Sequence, residues 1–152
     1  MPWRELEHTA DVGLEVRAET LEDLVAESAR AFYALLFGAE ARSDASVAVR
    51  APDVASVAVR RIEVEALDAV ELFVSWLNEL LFLLEVRGER LCLRSVRLTA
   101  RGADAACAAF SLVVEGNAVA APVPSLGIKA VTYGGALVLP GPPTLLRLFF
   151  DV

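Results

Sequence analysis

The sequence predicts an α+β fold, two helices packed on one face of a largely antiparallel mixed sheet, and three observations predict it. Two segments carry apolar residues at helical spacing with capping residues at their ends. Most of the remainder alternates apolar and polar residues between turn formers, as half-buried strands do. The order is strand, strand, helix, strands, helix, strands, which places helices over an antiparallel sheet rather than between parallel strands. At 152 residues the chain is expected to form one domain over 1–152, long enough to bury about two thirds of the surface its unfolded form exposes.

Taken in order, the first strands are WRELEH (3–8) and VGLEVRA (12–18). The first helix starts after Thr20, an N-cap with Asp23 at the third helical position, and ends at Gly38. Leu21, Leu24, Val25, Ser28, Phe32, Leu35 and Leu36 share its apolar face. Strands SVAVRA (46–51) and VAVRRIEVEA (57–66) follow. The second helix starts at Asp68 with Glu71 three residues on. Its polar residues Asp68, Glu71, Ser75, Asn78 and Glu85 trace one narrow stripe, so the other faces are expected to be buried.

LCLRSVRLTA (91–100) and AACAAFSLVVEG (105–116) form the next strand pair, in a register that sets Cys92 near Val113 and Cys107 near Leu98. Both cysteines read as small buried hydrophobes. Two prolines and two glycines mark EGNAVAAPVPSLG (115–127) as a loop. For the chain end, a two-residue turn at Gly134–Gly135 would give three short strands. The alternative, preferred here, is one long strand 128–139, bulged at the glycines and turning at PGPP onto 144–151; it sets Asp151 opposite Val131 and brings Lys129 one diagonal step from Asp151 on the same face.

Composition narrows the function. A net charge of −7 and a pI near 4.7 repel a polyphosphate backbone, so direct tight nucleic-acid binding is not expected. The first residues, MPWRELEHTADV, are not expected to act as a secretory signal. The most apolar segment, DAVELFVSWLNELLFLLEV, is interrupted by Glu71, Asn78 and Glu79, so no membrane association and a cytoplasmic location are expected. The single histidine, His8, has no serine motif such as G-x-S-x-G nearby, the phosphate-binding glycine motifs are missing, and two cysteines with one distant histidine do not make a zinc nest. No catalytic residue stands out.

What remains is a few polar residues in unusual places. His8, Thr9 and Asp11 link two strands, with Gly13 allowing close backbone approach. Asp151 follows the apolar strand LLRLFF, and Val152 adds a main-chain carboxylate. Two aspartates and such a carboxylate or carbonyl are hard oxygen ligands of the kind Ca²⁺ or Mg²⁺ takes. Lys129 is the only lysine beside thirteen arginines. Spacing alone leaves the plainer readings open: Asp11 as a turn former, Asp151 as a solvated charge, His8 as a strand residue, and Lys129 as a counter-charge to the aspartates.

HTADVGLEV, TLEDLVAESARAFYALL, WLNELLFLLE, IKAVTY and FFDV, in this order and over essentially the whole chain, resemble the archease family. The resemblance implies a protein cofactor, not an enzyme, that activates an RtcB-type RNA ligase in tRNA splicing and RNA repair by promoting GTP-dependent guanylylation of the ligase, GTP being met only through the ligase. It implies a divalent metal ion held by Asp11, Asp151 and the main chain of Val152. Lys129 matches the family's motif lysine and is expected, with His8, to contact a phosphate or the ligase. Two departures stand out: archeases usually have histidine at the position of Gly134, and the loop before IKAVTY commonly carries acidic residues and another histidine. The rival readings are a metal-dependent hydrolase or phosphotransferase using the same carboxylates, and a chaperone-like binding module.

Overall fold

The computed structural model describes residues 2–7, 12–38, 58–102 and 109–152. Helix α1 spans Leu21–Phe37 and helix α2 spans Ala69–Arg87. Strands β1 (Trp3–Glu7), β2 (Val12–Ala18), β3 (Ala58–Ala66), β4 (Glu89–Arg101), β5 (Ala109–Ala120), β6 (Ala130–Leu139) and β7 (Thr144–Asp151) complete the described elements. The α+β class stands. The described strands divide between two antiparallel sheets, of order β1-β2-β7-β6 and β3-β5-β4, where the sequence predicts one. The segments 46–51 and Cys107 lie outside the described residues.

Both helices begin and end on the expected chemistry. The Thr20 hydroxyl accepts the Asp23 N–H at 3.0 Å, and the Asp68 carboxylate accepts the Glu71 N–H at 2.8 Å, each satisfying an N–H that the first turn leaves without an intrahelical partner. Gly38 donates its N–H to the Ala34 carbonyl. Gly88, at φ 65° and ψ 30°, closes α2 in the left-handed conformation that glycine adopts without a Cβ clash.

One cluster of buried residues draws on both sheets and both helices. Leu14, Val16, Leu146, Leu148 and Phe150 enter from the first sheet, and Ile62, Val64, Leu91, Leu112 and Val114 from the second. Phe32 of α1 meets Phe150 with ring centroids 5.5 Å apart. Two buried polar side chains pair across elements, as desolvation favours. The Trp76 indole donates to the Val25 carbonyl at 3.1 Å, tying α2 to α1, and the Leu91 N–H donates to the Tyr33 hydroxyl at 2.9 Å, tying α1 to β4. Burial holds the Tyr33 hydroxyl well above the usual phenol range.

The β4–β5 register differs from expectation. Cys92 is buried and free as expected, but it stands opposite Asn117 instead of Val113. The described pairing runs from Glu89↔Ala120 to Arg101↔Ala109, and β5 continues to Ala120 because Glu89–Leu93 offers it a partner. The loop that the sequence predicts from 115 therefore begins after Ala120. Among the described residues no helix is long and apolar enough to cross a membrane.

Candidate functional site

The candidate site lies where the start of β2, the end of β7 and the start of β6 come together. Along β7, Thr144, Leu146, Leu148 and Phe150 are buried, whereas Leu145, Arg147, Phe149 and Asp151 alternate onto the other face. Val12 pairs with Phe150 and Gly13 with Phe149. Gly13 is required there: a Cβ on it would stand 2.8 Å from the Phe149 ring. On the far side of that ring Gly135, at φ 74°, is equally close, so the phenyl group lies across two glycines on neighbouring strands.

β6 begins at Ala130, opposite Asp151, with Val131 opposite Phe150. Asp151 thus pairs one residue earlier than the predicted partner Val131. The reason is the size of the bulge: β6 takes five steps from Thr132 to Leu137 while β7 takes two from Phe149 to Arg147, so three extra residues are accommodated around Gly135. Lys129 precedes the first strand residue, and the alternation that would set it on the Asp151 face does not reach it. The two meet through the backbone instead, the Lys129 N–H donating to the Asp151 carbonyl at 2.7 Å. Both side chains are exposed.

Helix α2 fixes this strand end through Asn78. Its Nδ2 donates to the Val131 carbonyl at 3.2 Å, and the Val131 N–H donates to its Oδ1 at 3.1 Å. Val131 lies on the edge of the described sheet, so a side-chain amide takes the place of the next strand. Sequence reasoning placed Asn78 in the polar stripe of α2 but assigned it no role. The available signal was an amide interrupting an otherwise apolar helix. Ile128, 4% exposed, anchors the chain just before Lys129.

His8 and Asp11 lie outside the described residues. Asp151 and Val152 are exposed at the end of β7, and no group of three or more His, Cys, Asp or Glu side chains gathers as a cation cage among the described residues. At Gly134 a Cβ would meet nothing within 4 Å, so packing does not require glycine at that position. Residues 121–127 cap α1, Ser125 donating both its N–H and its hydroxyl to the Leu36 carbonyl. With Leu36, Leu81, Leu84 and Ile128 they border an apolar hollow of about 320 Å³.

A second cluster was not anticipated. Glu15, in the middle of β2, faces away from the core with Arg4 and Arg147 across from it on the neighbouring strands, yet it is only 2% exposed. Arg4, Arg17 and Arg147 cover its carboxylate. Hydrogen bonds from Arg4 and then Arg147 hold the Glu15 carboxyl below the usual carboxylate range, against the opposing effect of burial.

Comparison with known proteins places this arrangement. The model of the Archease protein family (MTH1598/TM1083) matches residues 3–152. Protein archease of Methanopyrus kandleri is 39% identical over 88 residues, 58% of this chain and 54% of that protein, so the chain spans about half the length of the curated relative it matches. The solution structure of Methanobacterium thermoautotrophicum protein 1598 superposes with a TM-score of 0.61, covering 99% of each chain at 21% identity, a likeness of fold. With the family model matched almost from end to end, the chain belongs to the archease family.

Proposed function

We propose that this protein is a cytoplasmic activator of an RtcB-type RNA ligase, promoting GTP-dependent guanylylation of the ligase and its repeated turnover in tRNA splicing or RNA repair. It supplies no nucleophile of its own and meets GTP and RNA through the ligase. The observation that carries the reading is the rung Val12–Phe150. Each of these residues has an aspartate as its chain neighbour, Asp11 before Val12 and Asp151 after Phe150. Paired antiparallel Cα atoms are about 5 Å apart, so this rung supports one shared site for the two aspartates that flank it in sequence.

The donors fit a divalent cation in kind. The Asp151 carboxylate and the main-chain oxygen of Val152 are hard ligands at an exposed strand end, and Asp11 would add a second carboxylate. The Lys129 N–H engages the Asp151 carbonyl and holds that strand end in place. When bound, the cation would supply positive charge for a phosphate or an acidic group of the ligase. The exposed Lys129 ammonium would add a mobile point charge beside it, better suited to a shared phosphate than the rigid fork of arginine, and His8 would belong to the same contact surface.

The test is guanylylation of the cognate ligase with and without this protein, alongside calorimetric titration of Ca²⁺ and Mg²⁺ into the native chain, Asp11→Asn and Asp151→Asn. The expected result is a higher yield of adduct and more turnovers, both lost with metal affinity in the two variants. Unchanged adduct yield with native protein overturns the activator role, and unchanged cation affinity in both variants overturns the metal assignment.

A further inference from the structure

Away from the Asp151 end, the outer face of the first sheet concentrates positive charge on a chain of net charge −7. Arg4 of β1, Arg17 of β2 and Arg147 of β7 converge on one carboxylate, that of Glu15. Elsewhere among the described residues the arginine–glutamate pairs are closer to balance, as in Arg60 with Glu89 and Arg101 with Glu65. Among the described residues these three guanidinium groups share one carboxylate, an excess of two positive charges within the cluster.

The donors are held ready. Glu15 Oε1 accepts from Arg4 Nε at 3.1 Å and Arg17 Nη2 at 3.0 Å, while Oε2 accepts from Arg147 Nη2 at 2.9 Å. Each guanidinium carries five N–H groups, so most of them point elsewhere. Arg147 Nε is buried with no hydrogen-bond acceptor. A buried carboxylate that fixes the two exposed arginines, Arg4 and Arg17, lowers the ordering cost of any anion they bind, because the forks are already oriented. Beside them opens a hollow of about 220 Å³ lined by Pro2, Trp3, Arg4, Glu15 and Arg17. A neighbouring hollow, bordered by Glu19, Asp23 and Glu27 with Arg17 and Arg30, limits the basic patch on one side.

We infer that Arg4 and Arg17 form a binding site for a phosphate-class oxyanion, with Glu15 and, on its other oxygen, Arg147 as positioning residues. Guanidinium groups take phosphate through paired N–H donors, and the size of the hollow admits a phosphate or diphosphate group. Arg147 stands four residues before Asp151 on the same face of β7, about 13 Å along an extended strand. The site is therefore separate from the candidate cation site, and its existence does not depend on ligase activation.

The experiment is titration of the full chain with inorganic pyrophosphate at low ionic strength, followed by NMR of the arginine Nε–Hε signals and by calorimetry. Shifts of the Arg4 and Arg17 signals are expected, with affinity falling as salt rises. Arg17→Gln, at a well-exposed position, is expected to weaken binding about tenfold, the loss of one charge-assisted contact. Arg4→Gln should do the same, and Asp151→Asn should leave binding unchanged. Competition by a nucleoside triphosphate supports the site and assigns its phosphate to a free nucleotide; competition only by a short single-stranded oligoribonucleotide supports it and assigns the phosphate to an RNA chain. Unmoved arginine signals at saturating pyrophosphate overturn the inference, as does equal affinity in the native chain, Arg4→Gln and Arg17→Gln.

Discussion

Replacing Asn78 tests how the candidate site is held. The amide satisfies both backbone groups of Val131, at 3.2 Å and 3.1 Å, and Val131 is only 4% exposed, so water does not readily replace it. A buried backbone donor or acceptor left unpaired costs about 1–3 kcal/mol. With two such groups and some access for water around Asn78 itself, Asn78→Ala should lose about 2–4 kcal/mol. For a domain of this length each kcal/mol moves Tm by roughly 2–4 °C, so thermal unfolding should shift down by roughly 5–15 °C. Asn78→Asp keeps an acceptor for the Val131 N–H and loses the donor to its carbonyl, so its deficit should be about half as large from the lost donor alone. Hydrogen exchange at the Val131 amide reports the same clamp locally and should lose protection in Asn78→Ala while the β4–β5 amides keep theirs. An unchanged Tm with full protection at Val131 would refute the reasoning, because it would mean the ladder with β7 holds this strand end without the helix.

Two further outcomes follow from the packing and the charges. Glu15 has a folded-state pKa below its unfolded value, so its contribution is present above the unfolded pKa and lost as pH falls through the folded one; in urea unfolding at a series of acidic pH values, Glu15→Gln should flatten that part of the stability profile. Gly116→Ala would place a Cβ 2.5 Å from the backbone oxygen of Cys92 and should cost about 1–3 kcal/mol by overpacking, whereas Gly134→Ala, with nothing within 4 Å, should stay within about 0.5 kcal/mol; equal denaturation midpoints for the two variants would contradict the described contacts.

Local elements are legible along the chain. Thr20 and Asp68 as N-caps, Gly38 as a helix stop, and the apolar spacing along both helices are decided within a turn or two of helix, and the structure has the helices there. The alternation of GLEVRA and LLRLFFD reports which face of β2 and β7 is buried for the same reason. Tertiary structure decided what depends on distant partners. The division into two sheets follows from which strands meet, and no stretch of sequence carries that choice. The offset that puts Asp151 opposite Ala130 follows from the Phe149 ring lying over Gly13 and Gly135 and from Asn78 reaching across from α2. Alternation correctly turns Glu15 away from the core, but its burial arises because arginines from three strands close over it, a contact between residues as far apart as 132 positions in sequence. Period and capping are short-range and can be read along the chain; register, clamps and charge clusters are sums over non-local contacts and exist only once the chain has folded.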